Sequence, residues 1–134
     1  MLKVIIIDDE VITRKGLVEF VNWDKFDMKI FGQASDGLEG LALAKKVQPD
    51  LAICDIKMPR MNGIEFATQI KYVAPNCKII FLSGYTDKEY LKSAIKLNVV
   101  DYLEKPVNME ELTKLLSSVR DLHQLEIDKY NDKN

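Results

Sequence analysis

Apolar residues in this chain follow two rhythms, short continuous blocks and stretches spaced by three or four, with polar breakers between them. Val4 to Ile7 is a β-branched run, so residues 3 to 7 read as a strand buried on both faces and stopped by Asp8-Asp9-Glu10. From about Val11, the spacing of Leu17, Val18 and Val21 predicts a helix that Asn22-Trp23-Asp24 ends. Met28 to Ala34 reads as a second strand. Ser35-Asp36-Gly37 then turns into a helix whose inner side should carry Leu38, Leu41, Ala42 and Ala44. Pro49-Asp50 hands over to an apolar strand over residues 51 to 54 that ends on Asp55, and Pro59 with Asn62-Gly63 marks the loop after it.

Ile64, Phe66, Ala67 and Ile70 predict a third helix from Gly63 to about Val73, stopped by Ala74-Pro75-Asn76. Lys78 to Leu82 is a fourth strand and Ser83-Gly84-Tyr85-Thr86-Asp87 a loop. Leu91, Ala94, Ile95 and Leu97 then mark a helix that Asn98 caps. Val99 to Leu103 is the fifth strand, and Glu104-Lys105-Pro106 leads into a last helix from about Met109. Five strands alternating with five helices predict an α/β domain, a parallel sheet covered on both faces.

In the last helix Leu112, Leu115, Leu116, Val119 and Leu122 should pack on the sheet, whereas Leu125 and Ile127 extend the apolar spacing further than that task needs. The polar end, Asp128 to Asn134, should fray. The expected division is one domain over residues 1–122 and a helical extension with a frayed tail over 123–134. The extension reads as a loose end or as the start of a linker to a second domain or partner helix.

Composition narrows the class without choosing a function. The 134 residues fit one domain with a core of its own. A chain that is 47% hydrophobic and 30% charged, with net charge −2, carries no basic footprint for nucleic acid. Its longest apolar run falls far short of the roughly 20 residues that a membrane-spanning helix needs, and Val4 to Ile7 meets acids at once, so no signal peptide or membrane segment is expected. Cys54 and Cys77 match no zinc or redox spacing and read as reduced thiols, which makes the cytoplasm the expected compartment.

The chemistry lies at the strand exits. Strand one ends in Asp8-Asp9, strand three in Asp55, strand four in Ser83 and strand five in Lys105, and a parallel sheet brings these exits to one edge, where α/β folds bind ligands. Crowded carboxylates repel, so they call for a counter-charge, and a hard divalent cation with oxygen ligands is the simplest. Magnesium suits the set because it takes one or two carboxylates and leaves positions for phosphoryl oxygens. For phosphoryl transfer, Asp55 would be the acceptor and Asp9 the chief metal ligand with Asp8 beside it. The Lys57 backbone carbonyl would be a further ligand, and Ser83 and Lys105 the donors to the phosphoryl oxygens. Each residue alone has a plainer role as a cap or an ion pair; four strand ends agreeing argue for a site. Metal hydrolysis through an activated water is the chemical rival, but the lone histidine, His123, lies in the last helix.

Asp8-Asp9-Glu10, Asp55-Ile-Lys-Met-Pro-Arg-Met-Asn-Gly63, Ser83-Gly84 and Lys105-Pro106, in that order, resemble the receiver domain of two-component response regulators over residues 1 to about 122. The resemblance implies a flavodoxin-like (βα)5 doubly wound sheet of order 2-1-3-4-5, Mg2+, and transfer of a phosphoryl group from a sensor histidine kinase onto Asp55. It also implies a cis Lys105–Pro106 bond and places Tyr102 at the family's switch aromatic. Phosphate on Asp55 should draw Ser83 inward and leave room for Tyr102 to turn in behind it, with Gly84 letting the loop move. The output surface would comprise the last two helices and the fifth strand, including Tyr85, Lys88, Glu89, Tyr90 and Lys92, and a phosphorylation-dependent homodimer would form through it. Lys57 and Tyr85, two residues beyond Asp55 and Ser83, offer no group to orient an attacking water, so slow autodephosphorylation is expected. The chain would then be no enzyme in the ordinary sense, catalysing only its own phosphorylation and dephosphorylation.

Val21-Asn-Trp-Asp24, Leu82-Ser-Gly-Tyr-Thr-Asp87 and Val99-Val-Asp-Tyr-Leu-Glu-Lys-Pro-Val107 are similar to receivers attached to AraC-type helix-turn-helix transcription factors. DNA would then be bound only through a domain outside these residues. A stand-alone phosphorelay carrier is the alternative. An aspartyl-nucleophile phosphohydrolase would need an acid where Lys57 stands, and a flavin-binding flavodoxin would need glycine and hydroxyl donors where the first loop is acidic.

Overall fold

A computed structural model describes residues 1–84 and 99–133. Five strands, β1 (Leu2–Ile7), β2 (Met28–Ala34), β3 (Leu51–Asp55), β4 (Lys78–Ser83) and β5 (Val99–Glu104), form one sheet in the order β2-β1-β3-β4-β5. All four pairings are parallel, as the alternating pattern predicts. Helices α1 (Val11–Phe20), α2 (Gly37–Val47), α3 (Gly63–Val73) and a C-terminal helix (Met109–Lys133) accompany them. The helix expected through Leu91 to Leu97, with its cap Asn98, lies outside the described residues.

The sheet separates two cores. Val4, Ile6, Leu51, Ile53, Ile80 and Leu82 face α1 and the C-terminal helix, packing with Leu17, Leu112, Leu116 and Val119. Their alternate neighbours Ile5, Ile7, Ala52, Cys54, Ile79 and Phe81 face α2 and α3, where Ala44, Phe66, Ala67 and Ile70 meet them. Successive strand side chains point to opposite faces, so a strand covered on both sides must be apolar throughout, which is why these runs are continuous.

Three elements differ from expectation. The break at Asn22-Trp23-Asp24 is a short 3-10 helix, Trp23–Phe26, and the indole Nε1 of Trp23 donates to the Leu17 carbonyl at 3.1 Å. Helix α2 turns Gly37, Gly40 and Ala44 inward, while Leu38 and Ala42 are exposed. Small residues let this helix sit close to its neighbours, so spacing of the larger apolar groups misjudges its inner face. The C-terminal helix packs through Leu112, Leu116 and Val119, but Leu122 is exposed, because by then the helix has passed the core. It continues through Asp128 to Lys133 instead of fraying: no glycine or proline interrupts it, and Gln124 Nε2 donates to Asp128 Oδ1 one turn on.

Candidate functional site

The strand ends gather at one sheet edge as the parallel order requires. Asp8 follows β1 directly, its N–H bonded to the Ala34 carbonyl at 3.0 Å, and its side chain is fully buried. Asp55 closes β3, and Ser83 closes β4 beside it; both are buried. The N–H of Lys105 donates to the Ser83 carbonyl at 2.9 Å, which fixes the lysine at the exit of β5. The Lys105–Pro106 peptide is cis.

Lys105 is the centre of the charge arrangement. Its Nζ lies 2.7 Å from Glu10 Oε1, 2.9 Å from Asp8 Oδ2 and 3.1 Å from Asp55 Oδ2. Asp8 Oδ1 accepts the Glu10 N–H at 2.8 Å. Asp8 Oδ2 is close to the ammonium but makes no hydrogen bond, the one buried side-chain oxygen so left among the described residues. Burial pushes the Asp55 carboxyl up to about 7, with the neighbouring Asp8 charge adding to the shift and Lys105 opposing it. Asp8 is raised too, again chiefly by burial. Burial alone would lower the Lys105 ammonium, but its contacts with Glu10, Asp8 and Asp55 outweigh that and hold it above the ordinary lysine range.

The acids therefore carry more negative charge than one ammonium offsets. Ligand oxygens of Asp8, Asp9, Glu10 and Asp55 all lie within 4.8 Å of one another. Four carboxylates that share a single ammonium, in an all-oxygen donor set, fit a hard divalent cation of the magnesium class. Asp9 is exposed and lines an open depression with Lys57, Met58, Pro59 and Asn62, so the loop after β3 borders the same acids.

Asp8, Asp55 and Lys105 stand in direct contact as expected, with Ser83 one residue from the Asp55–Leu82 pairing. Tyr102 is half exposed on β5, beside Phe81. Tyr85, Lys88, Glu89, Tyr90 and Lys92 lie outside the described residues. Sequence reasoning gave no role to Glu10, which makes the shortest of the three Lys105 contacts, or to Arg14, whose Nη1 donates to the Asp8 carbonyl at 2.5 Å. Glu10 continues the acidic run, and Arg14 follows it by one helical turn; that spacing was the available signal.

The chain belongs to the response regulator receiver domain family, which it matches over residues 4–117. It is therefore the receiver of a two-component system. Over 116 residues it is 46% identical to an uncharacterized response regulatory protein of Staphylococcus epidermidis and 42% identical to the transcriptional regulatory protein HptR of Staphylococcus aureus. Each match takes in 87% of this chain and 45% of the relative, so the chain spans about half the length of the curated relatives it matches. Among solved structures it is similar to the REC domain of AraT, a response regulator from Geobacillus stearothermophilus, with TM-score 0.89 and 36% identity over 93% of this chain and 97% of that one. A two component transcriptional regulator AraC from Clostridium phytofermentans aligns with TM-score 0.83 and 40% identity over 92% and 98%. No helix among the described residues is long and apolar enough to cross a membrane.

Proposed function

We propose that the domain accepts a phosphoryl group on Asp55 from the phosphohistidine of a sensor histidine kinase, and that the modified domain controls an output domain. The observation that carries this is a buried carboxylate at a strand exit, 3.1 Å from a lysine ammonium and grouped with three further acids. An Asp55 oxygen forms the new O–P bond as the N–P bond breaks, and the leaving imidazole keeps the electron pair. Asp8, Asp9, Asp55 and the Lys57 carbonyl would hold Mg2+, which supplies positive charge on the phosphoryl oxygens. Lys105 and Ser83 donate to those oxygens, and Lys105 together with the bound cation would offset the burial and the Asp8 charge that raise the Asp55 carboxyl, so that it is ionised for attack. With phosphate in place Ser83 moves toward it, and Tyr102 turns from its half-exposed position into the space left behind.

The names of HptR and of the Clostridium regulator support transcription as the output of the whole protein, with phosphorylation-dependent dimerisation as the link to DNA. Phosphate incorporation from acetyl phosphate with magnesium, wild type beside Asp55→Asn, tests the acceptor, and sizing of the same samples tests dimerisation. Incorporation in the wild type that is lost in Asp55→Asn is expected; equal incorporation in both overturns the assignment. Incorporation with no change in size favours a monomeric phosphorelay carrier. Slow loss of phosphate is part of the same reading: Lys57→Asn and Tyr85→Ala should each shorten the phosphoaspartate half-life, and an unchanged half-life refutes that role.

A further inference from the structure

The loop between β3 and α3 is tied down on two sides. At its base the Gly63 N–H donates to the Ile56 carbonyl at 2.7 Å, and a Cβ on Gly63 would stand 2.3 Å from the Asp55 carbonyl oxygen, so only glycine lets the loop close so tightly behind Asp55. At its outer side the loop leans on the start of α2. The Gly37 N–H donates to the Met61 carbonyl at 3.0 Å, and a Cβ on Gly37 would lie 2.6 Å from that same oxygen. Next to this contact Arg60 reaches across. Its Nε and Nη2 lie 2.7 and 2.5 Å from Asp36 Oδ2, while Asp36 Oδ1 caps α2 through the Glu39 N–H at 2.9 Å.

Asp36 is a buried carboxylate with no part in the phosphoryl chemistry, and Arg60 holds a positive φ of 65°, unusual for a residue with a side chain. A backbone held in that region persists only where its surroundings fix it. The fixing groups are named above: Asp36 takes the guanidinium, and Gly37 takes the next carbonyl. Lys57, on the other side of the same loop, borders one depression with Asp9.

We propose that Arg60 is a positioning residue: anchored on Asp36, it sets the loop over residues 56–62 so that the Lys57 carbonyl is presented to the cation held by Asp9 and Asp55. This rests on the phosphoryl-transfer reading above. Arg60 touches neither phosphate nor metal and acts through the backbone, as the outer residues of a metal site orient its ligands.

Two variants spare the fold. Arg60→Gly keeps the positive φ without strain and removes the anchor, and Asp36→Asn keeps the helix cap and removes the charge. MgCl2 titration of the isotope-labelled chain, followed through the Asp9 and Lys57 amides well below the melting temperature, should give a dissociation constant about tenfold higher in either variant. The double variant should be no weaker than the single ones, and the Gly37 amide should exchange with solvent faster in all three. An unchanged constant in either variant overturns the proposal, even beside a lower melting temperature, which would mark a mere brace. A double variant that loses the product of the single effects overturns it as well, because Arg60 would then act without Asp36. Wild type that binds no Mg2+ overturns the phosphoryl-transfer reading and this inference with it, whereas binding in wild type that Asp55→Asn abolishes upholds that reading whatever the Arg60 result.

Discussion

The Lys105 ammonium lies 3.1 Å from Asp55 Oδ2, and the same nitrogen reaches Asp8 and Glu10. One cation thus serves both buried acids of the site, Asp8 and Asp55, in the metal-free domain. Removing it leaves carboxylates buried without a partner, a loss that exceeds the attraction itself. Lys105→Met should therefore lower the unfolding free energy of the metal-free protein by about 3 kcal/mol at pH 8. At pH 5.5 the loss should be smaller, because protonation of Asp55 removes the charge that lacked a partner. Urea titrations in chelator at the two pH values check both statements.

The raised acids also fix the sign of the pH dependence. Asp55 holds its proton more tightly in the folded state, up to about 7 against an ordinary 3.8. Its stabilising contribution is complete below 3.8 and disappears as the pH rises through 7. Asp8 shifts in the same direction. Asp36 is lowered, chiefly by the Glu39 N–H and also by Arg60, so its contribution fails only as the pH falls below 3.8. Between pH 5.5 and 8.5 the melting temperature in chelator should accordingly fall, and Asp55→Asn should flatten that slope. Differential scanning calorimetry reads both.

Divalent cation should act most where these acids are ionised. On the proposed reading Mg2+ binds the folded site in competition with its protons, so a fixed MgCl2 concentration should raise the melting temperature more at pH 8.5 than at pH 5.5 (about 1.4 kcal/mol for each tenfold tighter apparent binding). In Asp8→Asn the Mg2+ response should weaken or vanish, while the metal-free protein should be more stable than wild type at pH 8.5, since a charge that is costly to bury and that repels Asp55 is gone while Lys105 keeps Asp55 and Glu10. Thermal scans with and without MgCl2 separate the two effects.

Gly63 is required by contact alone, because its φ is not positive. Gly63→Ala would press a methyl group against the Asp55 carbonyl and the Ile56 Cα, both backbone atoms. Relief must come from a shift of the loop or of β3, at about 3 kcal/mol. Urea unfolding of the variant measures the cost.

Sequence made the site legible where chemistry and topology coincide. Asp8, Asp55 and Ser83 each follow an apolar run, Lys105 follows the mixed strand Val99–Glu104, and parallel strands must bring such ends together. Contacts made by residues with little apolar surface were harder to read. Gly37 and Gly40 carry no hydrophobic signal, yet they decide how α2 faces the sheet. Asn62 and Glu65 form a reciprocal cap on α3, a pairing visible as Asn-x-x-Glu in the sequence. Arg60–Asp36 joins residues far apart in the chain through one carboxylate oxygen, and spacing has no way to express it. The end of the final helix is hard to place for a related reason: polarity argues against burial and says little about whether a helix continues once started.

That helix has a mechanical side. Its 25 residues measure about 37 Å, but the turns from Leu112 to Val119 that grip the core occupy only about 10 Å of it. Beyond them it is steadied by Lys78, which meets Glu126 at 2.8 Å from the foot of β4, at the opposite edge of the sheet from Asp55. Gripped near one end and steadied about two-thirds of the way along, at Glu126, the helix is a lever. A tilt of about 5° in the gripped turns would carry its tip sideways by about 1.8 Å, given the roughly 21 Å that a rise of 1.5 Å per residue puts between Val119 and Lys133, so a movement too small to disturb the core becomes a displacement large enough to be felt at a distance.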